Sequence, residues 1–352
     1  MSEPVNPANF SCPAPLDASD RVQLGHGSGG KLSAQLVARH FLPHFDNAAL
    51  AQLGDASVVG IGGGEIAIST DSFVVQPLEF PGGNIGSLAV HGTLNDVAMM
   101  GARAVCLTAG FVLEEGLSMA LLDRVVAEMA RASTAAGVPI VAGDTKVVER
   151  GKADGLYINT TGVGVIDPAF RPSPARALPG DVVIVSGPIA RHGMAIMAAR
   201  EGLSFESAIT SDSAALAPLV EALRAAAIDV HVLRDPTRGG VASALNEIAA
   251  ASSVGIEIDE GTLPVPGDVR AACEMLGLDP LYVANEGVMV AFVPEAQSAA
   301  ALAALRAHPL GAEAVCIGRV LAAHSRLVAL RTLLGGTRVV DLLPGDQLPR
   351  IC

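Results

Sequence analysis

Asp167-Pro168-Ala169-Phe170-Arg171-Pro172-Ser173-Pro174 divides the chain. Three prolines in eight residues, without an apolar period of either helix or strand, suit an extended connector. Before it, residues 56–60, 65–70 and 103–113 read as strands, 84–100 and 117–136 as helices, and 139–142 and 156–166 as two further strands. After it, strands are expected at 182–186, 288–293 and 314–320, with helices at 190–201, 213–227 and 239–251. The halves share an order of elements but no residue-level repeat. Because strands are clustered as well as interleaved with helices, the fold class is α+β with mixed α/β character, in two domains. The division is a loose Pro-rich leader over 1–20, an N-terminal domain over 21–168, a C-terminal domain over 175–334 and a mobile tail over 335–352.

The 352 residues suffice for two cores, and half of them are apolar. A net charge of −13, with no run of Lys or Arg and no Trp, argues against nucleic acid as a partner. The first twenty residues hold no Lys or Arg and are interrupted by Pro4, Pro7, Pro13 and Pro15, so they do not read as a secretory signal. No apolar run is long enough to cross a bilayer. A cytoplasmic protein that does not use a membrane is expected. Cys12, Cys106, Cys273, Cys316 and Cys352 form an odd set without metal-binding spacing, which argues against structural disulfides and zinc. Cys352 stands apart because it is the last residue of the sequence.

An acidic protein that binds a nucleotide must offset the phosphates locally, with a cation, a few basic side chains or helix N-termini. Gly25-His26-Gly27-Ser28-Gly29-Gly30-Lys31 precedes a helical pattern running to about Phe41. It fits G-x-G-x-x-G and most of a P-loop, although Leu32 stands where a P-loop has Ser or Thr. A helix-capping turn and a phosphate cradle account for it equally well; bare backbone N–H groups beside Lys31 favour the cradle. Asp55, Asp71, Asp96 and Asp144 each sit in a polar turn beside an apolar segment. One such residue is ordinarily a turn former, but four at strand ends could converge on magnesium, which takes oxygen ligands. Asp235, before Pro236 and a helical pattern, reads as an N-cap. Lys146 and Glu286 are adequately explained as solvated turn residues, yet a cation and a carboxylate at a nucleotide mouth also suit charge stabilisation and proton removal.

Taken together, Gly25 to Lys31, Phe80-Pro-Gly-Gly83, Gly92-Thr-Leu-Asn-Asp96, Gly143-Asp-Thr-Lys-Val-Val148, Arg234-Asp-Pro-Thr-Arg-Gly-Gly240, Asp279-Pro280, Ala284-Asn-Glu-Gly287 and Pro349-Arg-Ile-Cys352 resemble the HypE family, the carbamoyl dehydratases of nickel-iron hydrogenase maturation. The aspartate pattern alone would point only to the wider superfamily of aminoimidazole ribonucleotide synthetase, thiamine-monophosphate kinase and selenophosphate synthetase. The terminal Pro-Arg-Ile-Cys is narrower. The resemblance runs from about residue 21 to the end and leaves the leader without a function.

It implies an aminoimidazole ribonucleotide synthetase-like fold whose N-terminal domain forms a homodimer through its strands and binds Mg2+ and ATP, with a flexible C-terminal tail that reaches the nucleotide. It places Asp55, Asp71, Asp96 and Asp144 at the metal. Gly27, Gly29, Gly30, Lys31 and Asn95, together with Asp71, Asp96 and Asp144, contact the nucleotide. Cys352, Glu286 and Lys146 serve the dehydration. The implied partners are the carbamoyltransferase HypF and a HypC–HypD iron scaffold complex. The implied chemistry is the conversion of an S-carbamoyl group on Cys352 into a thiocyanate that supplies cyanide. A small-molecule kinase or ligase of the superfamily, and a non-catalytic ATP-dependent interaction protein, remain the alternatives; neither requires a terminal thiol.

Overall fold

In the computed structural model the described residues are 22–27, 29–45, 47–202, 209–343, 348 and 350–352. The Pro-rich leader, Cys12, Ser28 and Pro349 lie outside them. The first half comprises α1 (Lys31–Leu36), β1 (Ser57–Ile61), β2 (Gly64–Phe73), the two-residue strands β3 (Glu79–Phe80) and β4 (Gly83–Asn84), α2 (Ile85–Met99), β5 (Ala102–Glu114), α3 (Met119–Ala136), β6 (Ile140–Val148) and β7 (Leu156–Ile166). Its five-stranded sheet has the order β1-β2-β7-β5-β6, antiparallel except where β5 runs parallel to β6. The two-residue period of a strand puts Ala67, Ser69, Asp71 and Phe73 of β2 on the face that meets α2. Asn84 starts α2 with a reciprocal capping box, its Oδ1 accepting from the amides of Gly86 and Ser87 while Ser87 Oγ accepts from the Asn84 amide. Covered on all sides, α2 needs no polar stripe. Its inner side packs on the sheet, and Ala98 and Met99 join the second domain's core with Phe170, Leu216 and Leu219.

The second half contains β8 (Asp181–Val185), α4 (Arg191–Glu201), α5 (Ala217–Ala225), β9 (Val232–Arg234), α6 (Gly240–Ser252), β10 (Gly255–Asp259), α7 (Gly267–Leu276), β11 (Val290–Pro294), α8 (Ser298–Arg306), β12 (Val315–Leu321), β13 (Val328–Arg331) and β14 (Thr337–Val339). Seven strands pair in the order β14-β13-β10-β12-β8-β11-β9. Both faces are covered at the centre: Val183 and Val185 of β8 pack with Leu245 and Ile248 of α6, whereas Ile184 packs with Leu219 and Leu305 on the other side. That is why this strand is apolar at every position after Asp181. No helix among the described residues is long and apolar enough to cross a membrane.

Three expectations change. The helix expected from 213 begins at Ala217, because Leu216 N–H is held by Asn95 Oδ1 and Ala214 N–H by the Glu286 carbonyl, and Pro218 then sets the first turn. The strand expected over 139–142 continues to Val148, its polar Asp144 and Lys146 lying along the exposed sheet edge. The tail expected to be mobile is docked at its end: Ile351 and Cys352 are buried among Phe80, Ile85, Ile196 and Ala284. An apolar Ile351 and the partnered carbonyls of Arg350, Ile351 and Cys352 outweigh the freedom of a chain end.

Candidate active site

Three carboxylates meet where the two domains join. One oxygen each from Asp55, Asp96 and Asp235 lies within 4.8 Å of the others. Asp55 stands just before β1, Asp96 on the inner side of α2, and Asp235 directly after β9, so the strand ends of both domains and the shared helix supply the cluster. Arg234 holds Asp55 Oδ1 at 2.7 Å and also binds Glu247. Ser69 Oγ donates to Asp96 Oδ2 at 2.5 Å. The second oxygens of Asp55 and Asp235 are buried and have no hydrogen-bond partner. Buried carboxylate oxygens without donors are costly, and a hard cation satisfies several at once. An all-oxygen donor set at the domain junction fits magnesium.

The electrostatics agree with the geometry. Burial pushes the Asp55 carboxyl well up, with Arg234 opposing and Asp235, Glu247 and Asp71 adding to the rise. Asp96 is raised first by burial and then by Asp235, Asp71 and Asp55. Asp235 rises to about 6, again mainly through burial. Asp71, beside Ser69 on β2, is raised by burial and restrained by Arg238. Removing charge repulsion among these groups is what a bound cation does.

Glu286 is almost fully buried behind this cluster. Its amide and that of Gly287 donate to Asp212 Oδ2 at 3.1 and 2.9 Å. Its carboxylate reaches towards α2, where a Cβ on Gly92 would sit 3.6 Å from Oε2. Burial, then Asp235, Asp212 and Asp71, push its carboxyl well above the usual range, against Arg238. Arg238 is the exposed cation at the mouth, drawn by negative charge at Cys352, Asp71, Glu286 and Asp96. It donates to the Gly27 carbonyl at 3.3 Å. Gly29, in the left-handed region at φ 76°, passes so close that a Cβ there would lie 3.1 Å from Arg238 Cβ. The Gly-rich turn is thereby brought to the mouth of the acidic cluster. Lys31, however, pairs with Asp341 at 2.5 Å, and its amide donates to the Leu343 carbonyl.

The chain end pairs with the residues that follow β2. Val74 N–H donates to the Cys352 carbonyl at 3.2 Å and Gln76 N–H to that of Arg350 at 3.3 Å, extending β2. Arg200 bonds the carbonyls of both Gln76 and Arg350, and Arg350 pairs with Asp154. Val74 also borders a groove of about 330 Å³ lined by Ser72, Tyr157, Asn159, Asp144 and Lys146.

The expected residues therefore fall into three places. Asp55 and Asp96 converge with Asp235, and Asp71 lies within electrostatic reach of them; Glu286 and Cys352 both act on Arg238. Asp144 does not join the carboxylates. It sits on β6, about 70% exposed and paired with Lys146 at 2.5 Å, in the groove that Val74 borders. Asn95 differs too: its side chain is spent on Ala214, Glu286 and Leu216. Asp235 is the residue whose role changes. The helix starts at Gly240, with Gly239 at its cap, so Asp235 does not cap it and its carboxylate turns to the cluster instead. Its position immediately after an apolar strand, as Asp55 stands just before β1, was the available signal.

The model of the AIR synthase related protein N-terminal domain matches residues 53–166, and that of the C-terminal domain matches residues 179–329. The carbamoyl dehydratase HypE of Cupriavidus necator is 53% identical over 335 residues, 95% of each chain. The carbamoyl dehydratase HypE of Escherichia coli is 46% identical over 338 residues, 95% of this chain and all of its own.

The chain belongs to the HypE family.

A solved HypE in complex with ATP is 50% identical, spans 93% of this chain and 98% of its own, and has a TM-score of 0.80. HypE in a HypE–HypF complex is 47% identical, spans 88% and 99%, and has a TM-score of 0.83. A thiamine-monophosphate kinase complexed with a nucleotide analogue shares the fold at 18% identity and a TM-score of 0.66. The HypE core thus holds the acidic cluster at the junction of the two AIR synthase-related domains, with Cys352 docked within electrostatic reach of Arg238.

Proposed function

We propose that this chain dehydrates a carbamoyl group carried on Cys352, at the expense of ATP, to a thiocyanate that furnishes the cyanide ligand in nickel-iron hydrogenase maturation. The observation that carries this reading is the docking of Cys352 against Val74, just past β2, where Arg238 feels negative charge at Cys352, Asp71, Glu286 and Asp96 together. A kinase site would have no use for a thiol held there.

Asp55, Asp96 and Asp235 would hold Mg2+, with Asp71 beside them, and the Gly-rich turn at Gly27, Gly29 and Gly30 lies where phosphates would reach backbone N–H groups. Bound magnesium supplies charge neutralisation to the polyphosphate. The S-carbamoyl oxygen takes the γ-phosphoryl group, releasing ADP and one proton from the amide nitrogen. Loss of the second N–H proton then breaks the C–O bond and expels phosphate, leaving S–C≡N. Glu286 is the base for that proton; a carboxyl raised by burial matches neutral pH better than an ordinary one. Lys146 would restrain charge on the departing phosphate from the groove bordered by Val74, the residue that binds the Cys352 carbonyl.

HypF is the proposed donor of the carbamoyl group, a HypC–HypD complex the proposed acceptor of the nitrile, and the cytoplasm the place of action. The bare edge strand β6, with Val141 and Val147 exposed, supports homodimerisation through the first sheet. Asp144 and Lys146 lie on that edge.

Intact-mass analysis after incubation with carbamoyl phosphate, ATP and HypF tests the reading. A carbamoyl adduct on Cys352 that then loses a water equivalent is expected, whereas Cys352→Ala binds ATP and stays unmodified. An adduct on Cys12, Cys106, Cys273 or Cys316 would sink it.

A further inference from the structure

His192, the second residue of α4, is fully buried and takes no part in the chemistry above. Its Nε2 lies 3.0 Å from the carbonyl oxygen of Ile351 and its Nδ1 lies 2.8 Å from Ser211 Oγ. A carbonyl can only accept, so Nε2 carries the proton; the ring is neutral, since burial depresses its basicity, and Nδ1 must then accept from the Ser211 hydroxyl. Ser211 Oγ in turn accepts from Ser213 N–H at 3.0 Å. Phe80 meets the imidazole edge-on at 5.6 Å and 87°, which fixes its plane.

Ser211 belongs to a short segment that also holds Glu286. Its amide donates to the Pro81 carbonyl of the first domain at 2.8 Å. Asp212 Oδ2 accepts from the amides of Glu286 and Gly287, and Ala214 N–H donates to the Glu286 carbonyl at 3.3 Å. One segment therefore fixes the backbone of the proposed base and, through one imidazole, the last peptide before the carrier thiol.

We propose that His192 is a positioning residue, a latch in which Nε2–H grips the Ile351 carbonyl and Ser211–Asp212 sets the docked chain end in register with Glu286. This rests on the dehydratase reading. With the chain end withdrawn, Nε2–H would be left in an apolar pocket without its acceptor, so the docked state is favoured until the chain end finds another partner.

The test uses the full-length chain and iodoacetamide, with Cys352 alkylation read by peptide mass spectrometry relative to the buried Cys273. His192→Leu keeps apolar bulk and removes the donor; it is expected to raise the relative alkylation of Cys352 roughly tenfold, the scale of losing one buried hydrogen bond. His192→Gln, which can place an amide N–H near Nε2, should restore most of the protection, and Ser211→Ala should move in the direction of the Leu variant. HypF-dependent carbamoylation should persist in His192→Leu while single-turnover dehydration slows by about the same factor. An unchanged Cys352 to Cys273 ratio in His192→Leu, or equal deprotection in His192→Gln, overturns the latch. A raised ratio in protein that never dehydrates its carbamoyl group, wild type included, upholds the latch as a docking device and removes the dehydratase reading instead.

Discussion

Asn95 Nδ2 on α2 lies 3.3 Å from the backbone carbonyl oxygen of Glu286, 191 residues further along the chain. The same amide group donates to the Ala214 carbonyl at 3.0 Å, and Asn95 Oδ1 accepts from Leu216 N–H at 2.8 Å. A single buried side chain thus joins the first domain's central helix to the two segments that frame the base.

Asn95→Ala should accordingly destabilise the protein by roughly 2–3 kcal/mol, because three backbone groups lose a buried partner and a cavity replaces it. Urea unfolding followed by circular dichroism checks this. A loss below about 0.5 kcal/mol would show that the domain junction is held elsewhere.

Asp235→Asn separates binding from stability. Removing one of several buried carboxylates relieves repulsion, so the metal-free variant should melt at or above the wild-type temperature, whereas Mg2+-ATP affinity should fall at least tenfold for loss of a charged oxygen ligand. Calorimetry with and without magnesium reads both. Wild-type affinity in Asp235→Asn would remove it from the metal site.

Glu286→Gln keeps size and loses basicity. It should bind ATP and carry the carbamoyl group, while dehydration slows by roughly 10²–10⁴-fold. Single-turnover mass spectrometry of pre-carbamoylated protein follows the step; an unaltered rate would reduce Glu286 to a structural residue. Lys146→Met should slow the same step without preventing carbamoylation.

His91 on α2 gives a pH signature away from the acidic cluster. Its Nδ1 lies 3.0 Å from Ser213 Oγ, and burial, assisted by Arg131, lowers the imidazole from its ordinary 6.5 to about 4. A histidine with a depressed folded value binds fewer protons when folded, so its contribution is complete above pH 6.5 and is lost as pH falls towards about 4. Relative to His91→Gln, the wild type should lose stability between pH 7 and 5 at up to about 1.4 kcal/mol per unit below 6.5. Parallel stability curves for the two proteins would contradict this burial.

The strong apolar periods made most major elements legible. Segments such as β8 and α2 are apolar because they are covered on both sides, and their existence follows from composition alone. The short strands β9 and β13 were not legible, since three or four residues carry too little period to separate strand from loop, whereas the short strand-like piece expected in the tail is β14.

Sequence by itself determined which residue types were available: strand-end aspartates, the Gly-rich turn, Glu286 and a terminal Cys352. It could not sort them, because a carboxylate beside a strand looks the same whether it faces inward or outward. Tertiary structure turned Asp235 into the cluster with Asp55 and Asp96, left Asp144 on an exposed edge, and spent Asn95 on the domain junction. It also docked a tail that composition described as loose, through His192, Arg200 and Val74, partners more than a hundred residues distant in the chain. Local propensity carries no record of such pairings. They arise only when packing decides which polar groups lose water and must find one another.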